Sequence, residues 1–357
     1  MATAALMVGV AAPATATSDP HIDVVPLGDF TPNQSVVSPD GRFTYLSAAT
    51  QRPGALLVKV VDNATRTLAA TYAPEVPTTD YWINDLTISS DGNELYVLTA
   101  QRVAVLDART GDTETTIPLP PSRGQFTGEA LASVGRALLV ADQADFSQEV
   151  PGRLLTIDLA RSTVVAELDL KRAWVGDLLV APDQHTVHVT TGGYRQDVQK
   201  NESAIETYDV GTGTLVSDLV LDTPPDVFIP LGHSVLGKDG RRLYGVHLRQ
   251  DLMIVDHVQG KLISTTRLTE HPIAGPLALG TDEKQLYIGL DQATQDDGPT
   301  VAVADATTGT TLDTLTGFTD DWVSSLIVHP HGRTLHVGTA TDPGTNVYQG
   351  ALQITEL

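Results

Sequence analysis

The feature that most limits what this chain can fold into is a unit that recurs seven times. Each copy opens with a small residue, runs through a turn of the P-D-G kind and enters a short strand. The copies are S-P-D-G-R-F-T-Y-L from Ser38, S-S-D-G-N-E-L-Y-V from Ser89 and A-S-V-G-R-A-L-L-V from Ala132. They continue with A-P-D-Q-H-T-V-H-V from Ala181, G-K-D-G-R-R-L-Y-G from Gly237, G-T-D-E-K-Q-L-Y-I from Gly280 and H-P-H-G-R-T-L-H-V from His329. Aligned on Thr44, Leu95, Leu138, Val187, Leu243, Leu286 and Leu335, they are spaced by 51, 43, 49, 56, 43 and 49 residues. Repeats of about 40–50 residues built from short strands are the mark of propeller blades.

Every unit then runs through a variable loop, a β-rich stretch ending in Asp or another polar residue, a Thr/Gly turn and a last strand. V-A-V-L-D-A-R-T-G-D and V-A-V-A-D-A-T-T-G-T are examples. The reading is therefore all-β: a seven-bladed β-propeller of four-stranded antiparallel blades, a to d from the centre outward. The seventh unit ends at Leu357 after A-L-Q-I-T-E-L, one strand short. Ile22–Leu27 (I-D-V-V-P-L) is expected to supply that strand and close the ring, which removes the exposed sheet edges.

Residues 1–20 are small and apolar and end in an A-T-A stretch, so they read as a signal peptide or a flexible leader. No Lys or Arg precedes Arg42 to make a basic leading region. Residues 21–357 read as one domain, secreted or cell-surface, without an integral membrane span and acting as a monomer. There is no cysteine, which excludes disulfides and thiolate chemistry. The net charge of −22 argues against nucleic acid as a partner.

Repeats reading S-P-D-G-x-x-L-Y-V, then V-x-V-x-D, then T-G-x resemble the YVTN/YncE-type seven-bladed propellers, relatives of lactonase-like and quinoprotein-like propellers. The resemblance covers about residues 22–357. It implies the fold and leaves function open, because such rings host binding proteins and several enzyme chemistries. No W-D dipeptide supports a WD40 protein, and a single G-G pair, Gly192–Gly193, argues against kelch.

The a–b and c–d turns are short, whereas the b–c and d–a connections are long and irregular and share one face. Function is expected on that loop face, at the mouth of the central channel. Trp82, Trp174 and Trp322 all fall in one repeat column at the entry to inner strands. They read either as an aromatic rim for a ligand or as rings sealing the gaps between blades. Just beyond them lie Asn33, Gln34, Asn84, Asp85, Asp177 and His233. Asp85 and Asp177 are candidate ligands for a divalent metal such as Ca²⁺. With His233 they are candidate acid–base groups. Both carboxylates could equally cap backbone N–H groups of neighbouring blades. Glu129, one residue out of phase, should point elsewhere by strand alternation.

Two long b–c loops, 141–153 and 190–203, could cover the mouth, and Tyr194 with Arg195 offers a clamp for an anion. The acidic run Asp291–Asp297 reads as solvated. His188 and His336 stand in the column of Tyr45, Tyr96, Tyr244 and Tyr287 and read as packing. His329 and His331 could chelate a surface metal, and His247 and His271 could reach ligand. No G-x-S-x-G, H-E-x-x-H, Walker or dinucleotide motif is present. The sequence thus favours a propeller that binds a small-molecule, glycan or peptide ligand at the channel mouth. The alternatives are a lactonase-like or lyase-like enzyme using a metal or a His/Asp pair there, and a purely structural module.

Overall fold

The chain forms seven separate four-stranded antiparallel sheets; in six the strands a–b–c–d follow one another along the chain, and in the seventh the outer strand comes from the N-terminal part. A computed structural model describes residues 21–49, 56–77, 83–124, 130–144, 150–195, 200–221, 230–247, 250–268, 274–291, 298–342, 344 and 348–357. The described part is all-β. The inner strands of blades 1 to 7 are Thr31–Val37, Ile83–Ile88, Ala130–Val134, Trp174–Val180, Gly232–Leu236, Ala274–Leu279 and Trp322–Val328. The ring closes as the sequence predicts: Ile22–Gly28 pairs antiparallel with Gln349–Glu356 as the outer strand of blade 7. No helix of the described part is long and apolar enough to cross a membrane.

The repeat motifs are explained by turn chemistry. In the a–b turn of blade 1, Ser38 Oγ donates to Asp40 (2.6 Å) and accepts from the Phe43 N–H, while Asp40 also accepts from the Arg42 N–H. The Asp that ends strand c caps the next turn: Asp62 accepts from the Ala64 and Thr65 N–H groups, and Asp305 from those of Thr307 and Thr308. These are Asx-type turns. Hydrogen bonds hold Asp40, Asp62, Asp107 and Asp305 below the ordinary carboxylate range. Much of the chain's acidity is therefore turn chemistry rather than a ligand field. In all seven blades the two turns are also tied together. The residue after the c-strand Asp, or its equivalent, donates its N–H to a carbonyl of the a–b turn, as Asn63 does to Arg42 and Leu357 to Arg333.

The core lies between blades. One cluster joins Tyr45, Val58 and Val60 of blade 1 to Leu86, Leu95 and Val97 of blade 2. Another joins Val25, Leu27, Leu352 and Ile354 at the closure to Leu46 and Val61 of blade 1. His188 and His336 are each 1% exposed, so they pack between blades as expected.

Candidate functional site

The channel is built from the inner strands, and those strands are bulged where the candidate residues lie. The a–b register breaks between Pro32 and Ser35, Ile83 and Asp85, Val175 and Leu178, Gly232 and Val235, Ala274 and Leu277, and Val323 and Ser325. A bulge adds a residue, bends the strand and re-aims a side chain. Simple strand alternation is therefore interrupted at this height in these six blades. Glu129, sorted that way, lies outside the described residues.

Blade 3 breaks the columns for a second reason. Its a–b hairpin pairs Val134 with Ala137 around a two-residue turn, Gly135–Arg136. The other blades carry longer turns; blade 4 pairs Val180 with Val187. Blade 3 is thus displaced by two residues against the sequence columns, and Ala130 takes the place of Asp177.

With that shift the two carboxylates do equivalent work. Asp85 Oδ2 accepts from the Leu131 N–H of blade 3 at 2.7 Å, and its Oδ1 accepts from the Leu86 N–H. Asp177 Oδ2 accepts from the Ser234 N–H of blade 5 at 2.5 Å. Both cap the next blade, the bland alternative the sequence left open. Thr190 Oγ1 completes the blade 4–5 junction, accepting from the Asp177 N–H and donating to the Leu231 carbonyl. That carbonyl comes so close that a Cβ on Gly176 would sit 2.0 Å from it, so only glycine fits. Asn33 Nδ2 donates to the Ile83 carbonyl of blade 2 at 3.4 Å.

Asp177 stands deep in the ring yet keeps some contact with solvent. Burial pushes its carboxyl up to about 7, against the opposing pull of the Ser234 N–H. His233 is exposed and adopts φ +47° inside the bulge. A non-glycine residue held there is strained by about 1 kcal/mol, the kind of strain that collects at functional sites. Gln34, Asn84 and Asp85 are half-buried. Trp174 and Trp322 are half-exposed, and Trp322 meets Tyr348 edge-on at 5.5 Å. Trp82 lies outside the described residues.

Several loop readings change. Thr190–Ser203 is mostly a long hairpin: strand b of blade 4 runs Thr186–Arg195 and strand c runs Lys200–Asp209. Tyr194 and Arg195 pair there with Asn201 and Lys200; their side chains lie outside the described part. Segment 141–153 is pinned at its ends by the Asp142–Arg153 ion pair, 2.8 Å. His329 does not offer a free chelating nitrogen: Nε2 donates to the Gly41 carbonyl and Nδ1 accepts from the His331 N–H. His247 is buried, and His271 and residues 292–297 are outside the described part.

Sequence reasoning missed Arg172. It is 1% exposed and pairs with Glu202, Glu206 and Asp218 between blades 3 and 4. Glu206 also accepts from the Lys171 N–H and from Thr191 Oγ1. Blade 7 places Gln353 at the Glu206 position: it accepts from the Thr319 N–H and donates to the Thr319 carbonyl and to Thr339 Oγ1. The signal was present: the Glu206 position is Ala104, Leu155, Met253 and Ala302 in four other blades. Arg172→Met should cost about 3–5 kcal/mol, because it strands three carboxylates in a buried site. Chemical denaturation checks this.

No family model matches the chain, and no curated protein does. Among solved structures, 1668 chains match in shape. One is the hydrazine synthase of Kuenenia stuttgartiensis, at 16% identity and TM-score 0.68, over 96% of this chain and 98% of that one. At that identity the likeness establishes the seven-bladed propeller fold and says nothing of chemistry.

Proposed function

We propose that the chain is an extracytoplasmic, YVTN/YncE-type propeller that holds a small molecule, glycan or peptide at the loop-face mouth of its channel. The observation that carries this is the bulged belt of the inner strands. It sets Asn33 and His233 exposed, and Gln34, Asn84, Asp85 and Asp177 half-buried, at one height of the ring. The belt is rich in acceptors and imidazole, with half-exposed Trp174 and Trp322 near it. That suits a ligand carrying hydroxyl or amine donors beside an apolar face. The chain's negative field would favour a cation over an anion. The test is a glycan and peptide array probed with wild type and with Trp174→Ala/Trp322→Ala. A ligand held by wild type should bind the double variant at least about tenfold more weakly, with melting unchanged. Equal binding contradicts the reading.

Asp177 favours a second reading. A carboxyl pushed up to about 7 can exchange a proton at neutral pH, as a general acid or base must. Asp85 and His233 occupy the same column in blades 2 and 5. In a lactonase-like or lyase-like enzyme, turnover of a lactone or uronate panel should vanish in Asp177→Asn and His233→Ala. A Ca²⁺ ion is a poorer fit: both Asp85 oxygens already accept backbone N–H groups. Among the described residues no three His, Asp or Glu side chains converge. A melt that falls with chelator and recovers with Ca²⁺ would reinstate the metal.

A further inference from the structure

Blade 3 departs from the other six at one corner, far from the channel mouth. Strand b carries a ring at one position in every other blade: Tyr45, Tyr96, His188, Tyr244, Tyr287 and His336. Blade 3 has Leu139 there. In blades 2, 6 and 7 the ring bonds the residue two places earlier on its own strand. Tyr96 donates to Glu94, Tyr287 donates to Gln285, and His336 bonds Thr334. The residue two places earlier in blade 3 is Ala137. Ring and polar partner are both replaced by smaller side chains, a buried Leu139 and a half-buried Ala137, next to the shortened Gly135–Arg136 turn.

Beside Ala137 lies an open hollow of about 500 Å³ walled by Val134, Ala137, Ile157, Ala160 and Val165, with Thr156 and with Arg136, Arg161 and Asp158 as its charged lining. Val165 is left 52% exposed. Two arginines against one carboxylate stand out in a chain with 22 basic and 44 acidic residues. Arg161 is held by Asp158. The exposed Arg136 guanidinium has no hydrogen bond or ion pair among the described residues.

We propose that this hollow is a second binding site, for a small aromatic carboxylate. The aryl ring takes the room that a tyrosine or histidine ring fills in other blades, against the apolar wall. The carboxylate meets Arg136, whose planar fork suits it and which surrenders no other partner on binding. The site is independent of the channel mouth and of any reading placed on it.

The test is a titration of the full chain with 4-hydroxyphenylacetate and with its cationic counterpart tyramine, followed by protein NMR. A ligand of this size should bind with a Kd on the order of 1 mM, and tyramine at least about tenfold more weakly. The Ala137→Glu/Leu139→Tyr variant rebuilds the pair found in blade 2 and should abolish binding. Arg136→Ser, an exposed change that decides the matter if the double variant fails to fold, should weaken the acid about tenfold. Tyramine binding as well as the acid, an acid indifferent to either variant, or no saturable binding would each overturn the proposal.

Discussion

Acidification from pH 7.5 to 5 should destabilise an Asp177→Asn variant by about 4 kcal/mol, and the wild type by clearly less. The loss comes from His188 and His336. Burial lowers both from 6.5 to about 3, reinforced by His257 beside the first and by His329 and Arg66 beside the second. His336 shows why the neutral ring is kept. Thr44 spends its hydroxyl proton on Asn63, so His336 Nδ1 must donate to Thr44 while Nε2 accepts from Thr334. A proton on Nε2 would require Thr334 to turn its hydroxyl from donor to acceptor and would place a charge inside the closure seam. His188 places Nδ1 on Thr207 and has no partner on Nε2.

A base whose folded pKa is depressed stabilises fully above its unfolded pKa and loses that contribution as pH falls from 6.5 toward 3. Each histidine accounts for about 2 kcal/mol at pH 5. Asp177 acts the other way. Its folded value, about 7, lies above the unfolded 3.8, so the ring gains stability as pH falls through that window. Channel water reduces this gain, yet it is of the same order as one histidine. Asp177→Asn keeps an oxygen for the Ser234 N–H and removes the offset, exposing the full histidine slope. Below pH 4 the turn-capping Asp residues add to the loss in every variant, because their folded values lie under 3.8. Urea melts across pH measure the slopes. Equal slopes in wild type and Asp177→Asn would refute the assignment, and His188→Gln/His336→Gln added to Asp177→Asn should flatten the curve between pH 5 and 7.

Opening the closure seam should be the most damaging change to the chain. Val25 and Leu27 are buried with Phe30, Leu46, Val61, Leu352 and Ile354. Arg66 of blade 1 bridges Asp23 and Glu356 across the same seam. Val25→Asp places an unpaired carboxylate in that cluster and should cost more than about 3 kcal/mol. Deleting residues 21–28 leaves strand c of blade 7 with a bare edge and should make the ring sensitive to protease at pH 7.5. A deletion that melts with the wild type would mean that closure is dispensable.

The ring, its blade count and its closing strand were legible because each rests on local chemistry repeated seven times. The S-P-D-G and V-x-V-x-D patterns are hydrogen-bonded turns, and turn chemistry survives translation from sequence to structure. The candidate site was legible only as a column. Asp85 and Asp177 stand on the inner strands and cap the next blade, one of the two readings the sequence left open, but the bulges beside them carry no sequence mark. The two-residue hairpin of blade 3 shifted its member of every inner-strand column by two residues unseen. Arg172 escaped because its partners lie 30 to 46 residues away on strands c and d of blade 4, and only a comparison of Glu206 with Ala104, Leu155 and Met253 would have flagged it.

The central claim, that ligand is held at the bulged belt on the loop face, is tested most directly by hydrogen exchange. The full chain would be measured with and without the ligand recovered from the array. Slowed exchange at segments 31–35, 83–86, 174–178 and 231–235 is the predicted result. Unchanged exchange in those segments, with slowing on the turn face or the outer strands instead, would contradict it.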